Sequence, residues 1–357
     1  MSQKTKTILA IETSCDDTSV AILKCSGTLK SPKFKVVKNI VSSQIAIHRP
    51  FGGVVPNIAK REHTKNLPTI LKSLKKKKSL TGRQSGKTVK IEKIDVIAVT
   101  VGPGLEPALW AGITFAEDLA KEFNKPLIGV NHMEGHLYSN WLSNKKTKEV
   151  EFPAIALIVS GGHTIILKMT AINKWKKLGE TIDDAAGEAF DKVARMLKLP
   201  YPGGPEIQKL ATKGDNKKIK FPRPLLNPKH ARDKYNFSFS GLKTSVLYYL
   251  RDNPRAKRAD VAASFQQAVV DVLTKKTISA VKANKSKSIL LCGGVAASKP
   301  LRESLQKEAK NLGIDFIAPN MAFNTDNGVM IAAAAYLNSL QKNKKKLPIK
   351  ANGGLSI

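Results

Sequence analysis

The chain has 357 residues, 42% of them hydrophobic, and 60 lysines and arginines stand against 28 aspartates and glutamates for a formal net charge of +32. That length supports two domains with separate cores, and no run of about 18 apolar residues occurs, which excludes an apolar membrane-spanning helix. The three cysteines, Cys15, Cys25 and Cys292, lack C-x-x-C spacing and any local signature of a nucleophile or metal ligand, which excludes a disulfide framework and points to a reducing cytoplasm.

The first residues lead straight into a strand and then into Glu12, Asp16 and Asp17, unlike a signal or transit peptide. Residues 8–11 read as an apolar strand, 12–18 as a polar turn and 19–24 as the returning strand. A third strand follows over 36–44, and Gly52-Gly53 leads into a helix carrying Arg61, Glu62 and His63. Residues 72–90, rich in Lys, Gly and Ser, read as an exposed connector. A buried strand over 94–101 is turned by Gly102-Pro103-Gly104 into a helix over 105–123, and the apolar run 126–130 leads to His132 and His136.

The second half opens as the first did. A strand over 154–159 meets the tight turn Ser160-Gly161-Gly162-His163-Thr164 and returns over 165–169. A helix over 184–197 carries Asp191, and Pro-rich loops occupy 201–205 and 221–228. After residue 244 come two helices, a strand over 288–292, a Gly293-Gly294 turn, a helix over 299–312 and a strand over 315–318. Residues 324–328 open a final Ala-rich helix over 329–340, and the Lys-rich tail is expected to fray.

Each half therefore has a strand–turn–strand unit and, later, a buried strand, a glycine turn and a helix. Such turns present backbone N–H groups, and helix N-termini add partial positive charge, so both suit phosphate. The expected fold is α/β, a duplicated actin-like (ASKHA, ribonuclease H-like) two-lobed architecture with a central nucleotide cleft. One lobe is expected over 1–130, completed by the helix 326–341; the second over 131–325; a basic tail over 342–357.

His132 and His136 fall on one helical face, where two imidazoles can grip one divalent ion. On spacing alone, two satisfied core or surface histidines are the commoner explanation. Glu134 stands two places after His132, rotated about 200° from it on a helix, so it cannot be the base of an H-E-x-x-H metalloprotease. A third ligand must return from elsewhere, and Asp326 is the candidate; a helix N-cap is its other use. An N/N/O set suits iron(II), zinc(II) or manganese(II) and leaves coordination positions open for substrate. Lysine clusters at 75–78, 145–148, 174–177, 217–220 and 342–346 fit a polyanionic partner such as RNA, or a merely solvated surface.

The stretches Ile11-Glu12-Thr13-Ser14-Cys15-Asp16, Gly52-Gly53-Val54-Val55-Pro56, Gly102-Pro103-Gly104-Leu105 and His132-Met133-Glu134-Gly135-His136 resemble motifs of the TsaD family. So do Val159-Ser160-Gly161-Gly162-His163-Thr164, Asp183-Asp184-Ala185-Ala186-Gly187-Glu188-Ala189-Phe190-Asp191-Lys192, Tyr201-Pro202-Gly203-Gly204-Pro205, Phe237-Ser238-Phe239-Ser240-Gly241-Leu242-Lys243 and Thr325-Asp326-Asn327-Gly328. Members of that family are tRNA N6-adenosine threonylcarbamoyltransferases, once taken for O-sialoglycoprotein endopeptidases, and the resemblance runs from about residue 8 to about 340, closest to the bacterial branch.

The resemblance implies transfer of a threonylcarbamoyl group from L-threonylcarbamoyl adenylate to the N6 amine of adenosine 37, in tRNAs reading codons that begin with A, with release of AMP. A separate enzyme makes the adenylate from ATP, threonine and bicarbonate. His132, His136 and Asp326 would hold one divalent metal, iron(II) or alternatively zinc. Ile158, Val159, Ser160, Gly161, Gly162, Asp191 and Gly204 would contact the adenylate. Ser298 stands where the family has a nucleotide-binding Asn, and the family's Asp-Glu pair reads Asp16-Asp17. Glu12 and Asp16 would orient substrate, or cap the turn they sit in. The implied partners are the tRNA anticodon region, a TsaB-like paralogue docking near the helix 58–74, and a TsaE-like ATPase. The competing readings are a metal-dependent endopeptidase and an ATPase or kinase-like protein of the same fold.

Overall fold

The computed structural model describes residues 5–75, 93–142 and 149–357. Most of the 72–90 connector and the lysines at 76–78 and 145–148 lie outside the described residues. The chain divides into two compact units, Met1–Lys145 with Thr325–Ile357, and Lys146–Asn324.

In the first unit β1 (Lys6–Glu12) pairs antiparallel with β2 (Asp17–Gly27), which pairs antiparallel with β3 (Pro32–Ser43). Next come α1 (Ile45–His48), α2 (Pro56–Lys75), β4 (Val96–Gly102), α3 (Glu106–Glu122), β5 (Leu127–Asn131) and α4 (His132–Tyr138). The sheet order is β3-β2-β1-β4-β5, with β1, β4 and β5 parallel. Strand alternation puts Leu9, Ile11, Val20 and Ile22 in one core with Leu67 of α2 and Ile113 of α3.

The second unit holds β6 (Ala154–Val159), β7 (Thr164–Ala171), β8 (Lys174–Glu180), α5 (Ala186–Met196), α6 (Gly203–Ala211), α7 (Ser240–Asp252), α8 (Arg258–Ala283), β9 (Ser288–Cys292), α9 (Lys299–Asn311) and β10 (Asp315–Ile317). Taken from β8, the order β8-β7-β6-β9-β10 repeats that of the first sheet, and each pair keeps the same parallel or antiparallel sense. The duplicated actin-like architecture is thus present in two copies of one topology. The chain then returns to the first unit as α10 (Gly328–Ser339), which packs on β1, β2 and α4.

Four features differ from the sequence reading. The lysine cluster at 174–177 belongs to a strand, β8, whose Lys174 and Lys176 are exposed while Trp175 is half-buried; short-period alternation hid inside a charge run. The loop expected at 201–205 already starts α6, where Asp191 Oδ1 accepts the first-turn N–H of Gly203 at 2.7 Å. Residues 131–142 belong to the first unit rather than to a lobe starting at 131, because α4 follows β5 directly and packs against α10.

The tail, finally, does not fray. Leu347 bridges Gly129 on the otherwise open edge of β5, Asn352 N donates to Val101 O (2.9 Å), and Asn131 Nδ2 donates to Ser356 O (3.0 Å). Leu347, Ile349, Ala351 and Leu355 pack on the first core. Their apolar burial outweighs the fraying suggested by composition. Among the described residues, no helix is long and apolar enough to cross a membrane.

The position of α10 depends on small side chains. Residues 328–337 are all buried, and Ala332 to Ala335 add little bulk against the sheet. A Cβ on Gly328 would come within 2.8 Å of Ala10 O and Ala21 N, both backbone atoms that cannot yield cheaply. Gly328→Ala is therefore expected to destabilise the protein by about 1–3 kcal/mol despite the better helix propensity of alanine. Urea unfolding checks this, and an unchanged midpoint would contradict the close approach.

Candidate functional site

α4 starts at His132 because Asn131 caps it: the Asn131 Oδ1 accepts Met133 N (2.8 Å) and Glu134 N (3.3 Å). One turn apart, His132 and His136 are buried, with ring centroids 4.6 Å apart at 78°. Gly135 lets α4 lie close to α10, since a Cβ there would sit 2.9 Å from Ile331 Cδ1. The N-cap of α10 is Asn327, whose Oδ1 accepts Met330 N at 3.0 Å. Asp326 is not that cap. Its Oδ1 lies 3.4 Å from His132 Nε2 and 3.1 Å from His136 Nε2.

Two atoms that share one ion through bonds of about 2.1 Å stand about 3.0–3.5 Å apart, which matches both spacings. The contact of His136 with Asp326 has ion-pair distance without hydrogen-bond alignment, and among the described residues both ring nitrogens of this buried imidazole lack a hydrogen-bond partner. An orphaned buried imidazole beside a carboxylate and a second imidazole fits a divalent cation. All three ligand atoms lie within 4.8 Å of one another.

Glu12, fully buried at the end of β1, organises His132. Its Oε2 accepts Thr100 Oγ1 (2.6 Å) and lies 2.9 Å from His132 Nδ1, while Oε1 accepts Ser14 N (2.5 Å). An ionised carboxylate only accepts, so Nδ1 carries a proton and Nε2 is the nitrogen left to serve as a ligand atom beside Asp326. The turn is tied to α2 by His63, whose Nε2–H donates to Cys15 O (2.9 Å) while Nδ1 accepts from Thr18 Oγ1 (2.8 Å). Asp16 is half-buried in the same turn, where its carbonyl accepts Gln44 N (2.9 Å).

The electrostatics ask for positive charge. Burial alone would lower the His132 pKa, but the Glu12 and Asp326 carboxylates outweigh it and raise it to about 9. Burial, Asp326, Asp16 and Glu12 together push Asp17 up to about 7, and its Oδ1 is buried without a hydrogen-bond partner among the described residues. Burial, then Asp16 and Asp326, hold the Cys15 thiol well above its ordinary range, so it is no thiolate ligand. Glu134 turns away from the trio: its Oε2 accepts Asn338 Nδ2 (2.6 Å) and its Oε1 pairs with Lys344. Sequence reasoning missed Asn131, Thr100 and Ser14, whose uses arise only from tertiary contacts.

A second constellation lies in the other unit. Ile158 and Val159 end β6, and the turn at 160–162 is closed by Ser160 N donating to His163 O (2.8 Å). A Cβ on Gly187 at the start of α5 would meet Ser160 O and Gly161 Cα, and one on Gly203 would meet Asp191 Cα, so these segments converge. Gly293, at φ +93°, brings the 293–298 turn onto Val159, because a Cβ there would be 2.3 Å from Val159 O. Around them Gly161, Gly162, Gly204 and Gly294 have nothing within 4 Å of a Cβ position. The result is an open rim of exposed backbone, suited to a nucleotide phosphate. Ser298 stands at the N-cap of α9 without a side-chain capping bond.

A profile of the family described as TsaD, tRNA N6-adenosine threonylcarbamoyltransferase, matches residues 35–333. The tRNA N6-adenosine threonylcarbamoyltransferase of Thermosipho africanus is 49% identical over 331 residues, covering 92% of this chain and 93% of its own length. That of Clostridium perfringens is 44% identical over 356 residues, covering 99% and 98%. Among solved structures, the activator of 2-hydroxyisocaproyl-CoA dehydratase from Clostridium difficile, with bound ADPNP, matches with a TM-score of 0.51 at 13% identity, over 96% of this chain and 99% of that one; this likeness concerns the fold alone.

Replacing Glu12 by glutamine keeps the shape of the side chain but removes the charge that fixes the His132 tautomer. Divalent-metal affinity is expected to fall about 10–100-fold, read by competition with a chromophoric chelator. Wild-type affinity in Glu12→Gln would rule out this role.

Proposed function

The chain belongs to the tRNA N6-adenosine threonylcarbamoyltransferase family, and from that premise we propose how its residues carry the transfer. It is a transferase acting on tRNA. The donor in this proposal is L-threonylcarbamoyl adenylate, made by a separate enzyme from ATP, threonine and bicarbonate. The N6 amine of adenosine 37, in tRNAs reading codons that begin with A, attacks the carbamoyl carbon. The new C–N bond forms, the bond to the phosphate oxygen breaks, AMP leaves, and the amine gives up a proton.

The backbone of Ser160, Gly161, Gly162 and Gly204 receives the adenylate, with Ile158, Val159, Asp191 and Ser298 shaping its seat. His132, His136 and Asp326 hold a divalent ion, for which iron(II) suits the N/N/O donors and zinc is the alternative. When bound, that ion stabilises negative charge developing on a substrate oxygen. Glu12 fixes the orientation of His132, and Asp16 stays near the substrate as an orienting carboxylate. An acyl adenylate is already activated, so positioning supplies much of the acceleration. The orphaned His136 within ligand distance of Asp326 is the observation that carries this reading.

Three cysteines without C-x-x-C spacing favour the cytoplasm. A TsaB-like paralogue and a TsaE-like ATPase complete the proposed system. The groove between α2 and α3, about 460 Å³ and lined by Lys60, Leu67, Pro68, Trp110 and Phe115, supports docking of the paralogue there, since Trp110 is 40% exposed.

Reconstitution with both partners, ATP, threonine, bicarbonate, the adenylate-forming enzyme and tRNA, followed by nucleoside mass spectrometry, tests the proposal. Threonylcarbamoyl-adenosine is expected with the wild type and to fall at least about 100-fold in His136→Ala or after chelation. Unmodified tRNA in the complete system, or full activity in His136→Ala, would defeat it.

A further inference from the structure

We propose that residues 215–234 form a basic strap whose lysines track phosphates of the tRNA, an inference that rests on the tRNA reading above. The strap is laid along α8, from Asp260 near one end to Lys276 towards the other. Asp215 N donates to Asp260 Oδ1 (2.9 Å), Ile219 N to Ser264 Oγ (3.2 Å) and Asn216 Nδ2 to Gln267 Oε1 (2.9 Å). Further on, Arg223 Nη2 and Nε donate to Asp271 Oδ2 (2.9 and 3.1 Å). At the far end the buried Lys276 donates to Asp233 O (3.2 Å) and Lys234 O (2.9 Å). Positions 260, 264, 267 and 271 recur at helical spacing on one face. From Asp260 to Lys276 the run covers about 24 Å of helix.

This arrangement separates the charges. The α8 carboxylates facing the strap, Asp260 and Asp271, serve as its anchors, whereas Lys217, Lys218, Lys220, Lys229, Arg232 and Lys234 are exposed. Within the strap, Asp215 Oδ1 accepts Lys217 N and Asp233 Oδ1 accepts Asn236 Nδ2. Among the described residues, Lys217, Lys218, Lys220 and Lys229 make no ion pair with a carboxylate.

Other lysine-rich places have structural uses. Lys33 and Lys35 lie exposed on edge strand β3 and Lys174 and Lys176 on edge strand β8, where charge blocks edge-to-edge pairing; Lys344 is bound to Glu134. The strap has no such duty. Its backbone is pinned at both ends and between, so its cations share a fixed base and lose less freedom on binding. A stretch of about 24 Å is long enough to face several successive phosphates of one strand. Exposed cations with few aromatics among them suit a phosphate backbone better than base-specific contacts.

The test is the full-length triple variant Lys217→Ala, Lys218→Ala, Lys220→Ala, binding unmodified tRNA across a salt series. Affinity is expected to fall at least about tenfold, and the log–log salt dependence to become shallower by about 2–3. The KM for tRNA should rise with kcat retained, and arginine at the three positions should restore binding. Removing the same charge at Lys282, Lys307 and Lys310 should change affinity by less than about twofold. Wild-type affinity in the triple variant, or an equal loss in the control, would overturn the strap. So would unchanged tRNA binding with weakened binding of polyglutamate, which would point to an acidic protein instead. A wild-type protein that neither binds nor modifies tRNA would instead defeat the tRNA reading itself.

Discussion

The contact that organises the first unit is the approach of α4 to α10, which sets a carboxylate from late in the chain beside two imidazoles from its middle. Small residues permit that approach: Gly135 on one helix, Gly328 and the alanines on the other. Its electrostatic consequence is an excess of buried negative charge. Glu12, Asp17 and Asp326 influence one another through a poorly solvated turn, and His132, its pKa raised by Glu12 and Asp326, offers a compensating proton. The proposed divalent ion would offset that excess and give the orphaned Nε2 of His136 a partner.

The supports around the trio come from the whole unit. Thr100 on β4 and Ser14 in the first turn hold Glu12, which holds His132. Asn131 caps α4 while donating to Ser356, and Glu134 is held by Asn338 and Lys344. The last residues thus fasten α4 on the side away from Asp326. Glu134, two places after His132 and not one as in an H-E-x-x-H protease, is a structural anchor.

Much of this was legible in the residues themselves. The two strand–turn–strand units, the glycine turns and the four-residue spacing of His132 and His136 are local signals, and the repeat they form has its counterpart in the duplicated sheet order. What escaped was non-local or masked by composition. Lysines concealed the alternation of β8, and the basic tail concealed Leu347, Ile349 and Leu355. The start of α6 was hidden by Gly203, Gly204 and Pro205, which read as a turn until Asp191 is seen accepting the Gly203 N–H. The part Glu12 plays could not be read at all, because Thr100 and His132 reach it only through sheet register and the packing of α4. Asp326 was ambiguous between cap and ligand, and the neighbouring Asn327 takes the cap.

Metal content per chain, measured by inductively coupled plasma mass spectrometry on protein equilibrated with iron(II) or zinc(II) and then desalted, tests the central claim most directly. One ion per chain is expected for the wild type, and a substoichiometric amount for Asp326→Asn with an unchanged circular-dichroism spectrum. A wild type that retains no ion, or an Asp326→Asn protein that retains a full equivalent, would contradict it.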